Sequence, residues 1–217
     1  MSGSLNLVIT EKNGAVRNRT FSMTSKSYPG EIEKRLIRFI EPADVRGTSM
    51  LIIDNRDIAD EMWIYLPALK KTRRIVTSEK GRSFMSSEFS NADMSSPAVN
   101  DFTHRHLADS GNDNQWIIES IPADDDKADE YGYARKISYI ARDTYQVNKM
   151  EFYNFDNKLF KVIDIKSVFP FKEGKYMIKD MVAANLLTGR KSEIIFSNIT
   201  EGSEVDDSNF TLRNLEK

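Results

Sequence analysis

Two strand-length runs, Met50-Leu51-Ile52-Ile53 and Met62-Trp63-Ile64-Tyr65-Leu66, are apolar at every position. Side chains alternate across a strand, so a sheet with one face in water alternates apolar and polar residues. Runs without that alternation belong to strands covered on both sides. A chain that holds them folds into a sheet and must supply something apolar for each face of it.

The rest of the sequence supplies the sheet. Leu5 to Glu11 and Val16 to Lys26 flank Asn13-Gly14, a tight-hairpin signal. Ser27-Tyr28-Pro29-Gly30 turns the chain into Ile32 to Phe39, where Ile32, Leu36 and Arg38 share a face and Glu41-Pro42 ends the strand. Thr48 to Asp54, Glu61 to Leu66 and Lys71 to Val76 complete a meander. Strands resume at Trp116 to Ile121, Arg135 to Arg142, Val147 to Asn154, Leu159 to Ser167, Tyr176 to Asn185 and Lys191 to Asn198. Asp124-Asp125-Asp126, Phe155-Asp156-Asn157 and Thr188-Gly189 read as turns. Short strands with short connections argue for one large antiparallel sheet rather than βαβ units. A long sheet of this kind curls or closes to bury its apolar face.

The middle of the chain reads differently. Ser95-Ser96-Pro97 resembles a helix start, Val99, Phe102 and Leu107 fall near one helical face, and Gly111 is a stop. The spacing predicts one helix over Pro97–Asp109 and a short helical turn near Phe89 to Met94. That helix is expected to cover one face of the doubly apolar strands.

Composition narrows the function classes. The length of 217 residues fits a single domain. Met1-Ser2-Gly3-Ser4 reads as a junction left by expression, which puts the domain at residues 5–217. The chain has no cysteine, which removes disulfides, thiol nucleophiles and cysteine zinc sites. Lys and Arg number 31 against 33 Asp and Glu, so no global positive field draws in nucleic acid. No apolar run reaches the roughly 18 residues of a membrane span.

The candidate chemistry is sparse. Nucleotide-binding, nucleophile-elbow and zinc-protease motifs are all missing, and the expectation is a protein with no catalytic residues and no cofactor. Asp101, His104, His106 and Asp109 are the best metal-ligand types, but on the expected helix the two histidines point in nearly opposite directions. No metal site is expected. Asp124, Asp125, Asp126, Asp129 and Glu130 lack the pattern of a calcium loop and read as an exposed charged loop.

Lys70, Lys71, Arg73 and Arg74 read first as edge-strand charges that discourage sheet-to-sheet aggregation. Their second reading is a docking patch for an acidic protein surface or an anionic lipid headgroup. The nine methionines and 12 phenylalanines suit an adaptable apolar lining, with a plain two-layer core as the alternative. The candidate lining is Met50, Ile52, Met62, Trp63, Ile64, Leu66, Phe84, Met85, Phe89 and Phe102.

Four ordered blocks carry a resemblance. They are Phe39-Ile40-Glu41-Pro42-Ala43-Asp44-Val45-Arg46-Gly47-Thr48, Met62 through Lys71 with Arg73-Arg74-Ile75, Ser83-Phe84-Met85-Ser86-Ser87-Glu88-Phe89, and Asp207 with Asn209 through Leu215. In this order they resemble the outer-membrane lipoprotein-sorting branch of the LolA-like superfamily. The resemblance implies a mainly β fold: a strongly curved antiparallel sheet, or half-barrel, with a few helices plugging its concave face. It also implies a periplasmic protein without a cofactor that holds the acyl chains of lipids or lipoproteins. A chaperone role in transfer toward the outer membrane follows, and an inner-membrane exporter of the resistance-nodulation-division (RND) type is an implied partner. The alternative is an accessory or scaffold protein of such an exporter, with no lipid cargo. Two departures stand out. Relatives place a signal peptide and a long amphipathic helix before the first strand, which here starts near Leu5. They also most often carry glycine after Phe-Met, where this chain has Ser86.

Overall fold

The computed structural model describes residues 1–56, 58–107, 114–170, 176–202 and 205–217. A first meander runs through β1 (Ser2–Thr10), β2 (Val16–Tyr28), β3 (Ile32–Glu41), β4 (Ser49–Asp54), β5 (Glu61–Leu66) and β6 (Lys71–Arg74). A second runs through β7 (Phe102–Leu107), β8 (Gln115–Pro122), β9 (Arg135–Ala141), β10 (Val147–Tyr153), β11 (Leu159–Pro170), β12 (Tyr176–Asn185) and β13 (Lys191–Thr200). All belong to one 13-stranded sheet in the order β6-β5-β4-β3-β2-β1-β13-β12-β11-β10-β9-β8-β7. The meanders join through β1 and β13, which leaves β6 and β7 as open edges. The helices are short: α1 (Thr77–Lys80), α2 (Asp125–Tyr131) and α3 (Leu212–Leu215). No described helix is long and apolar enough to cross a membrane.

The turn chemistry read from the sequence places the strands. At Asn13-Gly14 the hairpin closes through Glu11 N–H to Ala15 O at 2.8 Å, and the Asn13 side chain accepts from Ala15 N–H at 3.0 Å. Contacts divide the chain into two compact units. The first is Met1–Val8, Arg17–Val76 and Ile195–Lys217; the second is Ile9–Val16 and Thr77–Ile194.

In the first unit the C-terminal segment covers one face of β3–β5. Phe210 and Leu215 form a buried cluster with Leu36 and Leu51, and Ile53, Trp63, Tyr65 and Val205 pack around it. Burying two such side chains contributes about 1.5–3 kcal/mol each. Local capping shapes the segment: the Asp206 carboxylate accepts from Ser208 N–H at 2.7 Å, and Thr211 Oγ1 accepts from Asn214 N–H at 3.3 Å. Polar anchors then hold it down. Ser49 Oγ donates to Leu215 O at 2.5 Å, Arg38 donates to Asn214 O, and Lys26 and Tyr28 both donate to Asp207 at 2.7 Å.

Two expectations are corrected in the second unit. The stretch assigned to a helix over Pro97–Asp109 is a 3-10 turn, Val99–Asp101, followed by strand β7. The helical reading rested on Val99, Phe102 and Leu107, whose spacings of three and five make a thin stripe. Strand pairing offers more, because β7 bonds to β8 from Phe102↔Pro122 to Leu107↔Ile117 and Phe102 buries against Tyr131 with ring centroids 4.7 Å apart. Residues 108 and 109 of the expected helix, and Gly111, lie outside the described residues. The covering of β3–β5 therefore comes from the C-terminus.

The acidic cluster is also more than a loop. Asp124 caps α2, its side chain accepting from Lys127 N–H at 2.8 Å. Asp125 and Asp126 occupy the first turn, where the helix dipole favours negative charge. Glu130 turns inward to a buried ion pair with Lys80 at 2.5 Å. Gly81 and Gly132 let the two helical segments approach, since a Cβ on Gly81 would lie 2.8 Å from the Gly132 Cα.

Candidate functional site

Register separates the two faces of β3–β5. The pairs Ile37↔Met50, Met50↔Ile64 and Ile52↔Met62 put these residues on one face, opposite the face under the C-terminal segment. Phe21 and Met23 of β2 join through Phe21↔Phe39 and Met23↔Ile37. This face is closed: Ile52 and Met62 are 0% exposed and Met50 1%. Arg35 borders it, held by Glu33 at 2.8 Å and Asp54 at 3.0 Å.

The second unit carries an apolar face of another kind. Three cross-strand rows lie on one side of β8–β12. The first is Ser120–Lys136–Phe152–Lys161–Asn185, the second Ile118–Ser138–Met150–Ile163–Ala183. The third has Trp116 beside Ile140, with Ile165 beside Met181 two strands further on. Ile163 and Ala183 are buried, whereas Trp116, Ile118, Ile140, Met150, Ile165 and Met181 are only half-buried. The opposite side of the same strands mixes apolar and charged residues: Ile117 and Ile137 are buried there, and ion pairs lie among them, with Glu119 taking Arg105 at 2.6 Å and Arg135 at 3.4 Å, and Lys149 meeting Glu151 at 2.6 Å.

The polar first row is where the segment containing Ser83–Asp93 is clamped to the sheet. Lys161 binds Asp93 at 2.7 Å, Glu88 takes Arg190 at 2.8 Å and Asn185 at 2.8 Å, and Ser192 Oγ accepts from Glu88 N–H at 3.0 Å. Phe84 and Phe89, both 0% exposed, fill the segment's underside. Ser86 sits at φ 62, a left-handed conformation that glycine adopts without steric cost. Gly81, Gly132, Phe89, Lys161 and Asn185 line a cleft of about 150 Å³. That is below the roughly 300–1,000 Å³ of typical ligand sites. Burial lowers the Lys136 pKa, with Asp93 opposing the shift; burial raises Tyr133, and Tyr131 is raised by burial and by donating to Asp101.

The expected lining thus falls in several places. Met50, Ile52, Met62 and Ile64 share one face, with half-buried Leu66 at its end. Trp63 lies on the opposite face, in the cluster with Phe210 and Leu215. Phe84 and Phe89 are core of the clamped segment and Met85 is half-buried within it at φ 49. Phe102 belongs to a ring cluster with Tyr131 and Tyr133.

His104 and His106 lie two apart on a strand and so share a face, the reverse of the helical expectation. His104 Nδ1 is 2.9 Å from Ser120 Oγ and Nε2 is 3.1 Å from Val99 O, a structural pairing. Asp101 is engaged by Tyr131 at 2.7 Å and Lys127 at 3.0 Å; Asp109 lies outside the described residues. Among the described residues no group of three metal-ligand types converges. Lys70, Lys71, Arg73 and Arg74 are exposed on β6 and the turn before it. The half-buried apolar rows were not in the expected lining. Their signal was the plain alternation of Lys149, Met150, Glu151 and Phe152, which is that of an ordinary one-sided sheet.

A family model described as an uncharacterized-protein family matches residues 31–217. No curated protein matches the chain. Among solved structures, one described as an outer membrane lipoprotein-sorting protein domain, from Vibrio parahaemolyticus, superposes with a TM-score of 0.90 at 26% identity, covering 100% of this chain and 91% of that one. A DUF1329 family protein from Desulfovibrio piger gives 0.88 at 28% identity, covering 99% and 90%. A LolA superfamily protein from Nitrosomonas europaea gives 0.73 at 17% identity, covering 97% and 89%, and shares the fold.

Proposed function

We propose, from the premise that this chain belongs to the outer-membrane lipoprotein-sorting family of the LolA-like superfamily, that it is a periplasmic carrier that shields acyl chains of lipids or lipoproteins and helps move them toward the outer membrane. Its fold is of a carrier type, and we assign it no reaction and no catalytic residue. The observation that supports this reading is the half-buried apolar face of β8–β12, with Ile118, Ile140, Met150, Ile165 and Met181 at its heart. Methionine on that face repacks readily around cargo of varied shape. The closed face of Met50, Ile52, Met62, Ile64 and Leu66 is a second candidate surface, one that would have to open to take a chain.

Energetics favour a face that is only partly enclosed. An acyl chain of about 15 methylenes costs on the order of 12 kcal/mol to hold in water, at about 0.8 kcal/mol per methylene. A carrier must offset most of that and still release its load. A half-open sheet face recovers part of it without a tight pocket.

The test is displacement of a hydrophobic fluorescent probe by long-chain fatty acid or lysolipid, with mass spectrometry of lipid extracted from protein made in the envelope. Probe uptake with competition by lipid is expected. Uptake no greater than that of a compact globular control, with no extractable lipid, would favour the scaffold reading, an accessory protein of an RND-type exporter.

A further inference from the structure

Several of the chain's cations are held against carboxylates. Arg35 meets Glu33 and Asp54, Lys80 meets Glu130, Arg105 meets Glu119, Lys161 meets Asp93, and Arg190 meets Glu11 and Glu88. The β6 edge carries cations that are not held in this way, and they stand next to one another. Lys70, Lys71 and Arg74 are exposed, and none of their side chains makes an ion pair or hydrogen bond among the described residues. Arg73 between them is exposed too, its guanidinium reaching Arg74 O at 3.4 Å. Glu216 is a carboxylate beside the strand, and it accepts from Thr72 Oγ1 at 2.9 Å rather than pairing with a cation.

The charge surrounds the edge instead of lining one side of it. The pairs Lys71↔Leu66 and Arg73↔Ile64 put two cations on one face, and Trp63↔Arg74 puts a third on the other. Lys70 leads in at φ 48, a left-handed backbone that a non-glycine residue seldom adopts. Apolar side chains bracket the run: Leu69 is 67% exposed and Val76 51% exposed. Edge protection explains cations on an open strand, but it gives no reason to leave a leucine and a valine in water at either end of them.

We infer that the β6 edge, with Leu69 and Val76, is a docking surface for an anionic lipid bilayer. Clustered Lys and Arg are drawn to the negative surface, and the two apolar side chains enter the headgroup boundary. An acidic protein strand is the weaker fit, because β6 offers only 4 residues of edge, about 13 Å at roughly 3.3 Å per residue, to fix its register. The inference goes beyond the carrier reading and does not depend on it, since a cargo-free scaffold would dock in the same way.

Co-sedimentation of the whole chain with phosphatidylglycerol–phosphatidylcholine vesicles, against pure phosphatidylcholine vesicles, tests it. Binding is expected only to the anionic vesicles and is expected to fall with added salt. Each cation near such a surface gives about a fivefold gain in partitioning. The triple variant Lys70→Glu, Lys71→Glu, Arg74→Glu should therefore bind on the order of a hundredfold more weakly or worse. Leu69→Ser, which leaves charge unchanged and touches no buried position, should weaken binding several-fold and keeps the test open if the triple variant fails to fold. Unchanged vesicle binding in both variants overturns the inference. So does a wild-type chain that ignores anionic vesicles yet binds polyglutamate through the same lysines, which would mark an acidic protein as the partner. Either failure leaves the probe-displacement result standing on its own.

Discussion

The two units handle apolar sheet surface in opposite ways. In the first, both faces of β3–β5 are finished: Leu36 and Leu51 lie under Phe210 and Leu215, and Ile52 and Met62 on the other face are 0% exposed. In the second, one face of β8–β12 is apolar but unfinished, and the other interleaves buried Ile117 and Ile137 with ion pairs at Glu119 and Glu151. The finished unit takes its covering from the chain itself. The unfinished one keeps Met150 and Met181 partly in water. A surface committed to the core cannot be exchanged for cargo without unfolding, whereas one left half-covered can. We read the first unit as frame and the second as the face that works.

This contrast can be broken by substitution. The largest effect is expected inside the second unit, where its frame must stay rigid although its face is open. Lys80→Met leaves Lys127, at 3.0 Å, to balance buried Glu130, so it should cost about 3 kcal/mol, the low end for a broken buried pair, and adding Glu130→Leu should restore most of it. Denaturant unfolding of the single and double variants reads this out; a harmless single variant would mean that α1 and α2 do not brace the unit. Comparable in size, Phe210→Ala should cost about 3 kcal/mol by the same measurement, without changing probe affinity. Met181→Ala should do the reverse. Its stability cost should stay under about 1 kcal/mol, while probe affinity should fall about fivefold through lost apolar contact. Equal effects on stability from Phe210→Ala and Met181→Ala would erase the distinction between the units.

The finished unit was the more legible in the sequence. Its strands announced themselves through Ser27-Tyr28-Pro29-Gly30, and its doubly apolar runs did demand cover on both faces. What the runs could not say was where the cover comes from. Phe210 and Leu215 reach Leu36 and Leu51 across more than half the chain, and no local pattern records that contact. The middle was misread because Val99, Phe102 and Leu107 satisfy a loose helical stripe, while β7 owes its form to pairing with β8. Asp124-Asp125-Asp126 hid a helix start, since a run of aspartates suits a loop and an N-cap alike. The half-open face drew no notice because its strands alternate as ordinary strands do.

Two smaller effects sharpen the account. Ser86→Gly should stabilise the clamped segment by about 0.5–1 kcal/mol, because φ 62 costs serine and not glycine, and a thermal shift upward checks it. The last concerns pH. Hydrogen bonds from Lys26, then from Tyr28, hold the Asp207 carboxyl below its ordinary value. A lowered carboxyl contributes stability that is present above the unfolded value of about 3.9 and is lost as pH falls through the folded value. Tyr28 is pushed up to about 12, first by burial and then by its bond to Asp207. Its contribution is complete below pH of about 10 and is lost as pH rises through the folded value. Pepsin cleavage within 205–217 should therefore rise as pH drops below about 4, and a flat cleavage rate there would show that Asp207 is not an anchor.

The central claim, that the second unit's open face carries the acyl chain, is tested most directly by photo-crosslinking. A fatty acid bearing a diazirine near its methyl end is bound, irradiated and mapped by peptide mass spectrometry. The account predicts adducts on Ile118, Ile140, Met150, Ile165 or Met181, competed away by unlabelled fatty acid and reduced in Met181→Ala. Competed adducts confined to Met50, Ile52, Met62 and Ile64, with none on β8–β12, would contradict it and move the binding face to the first unit.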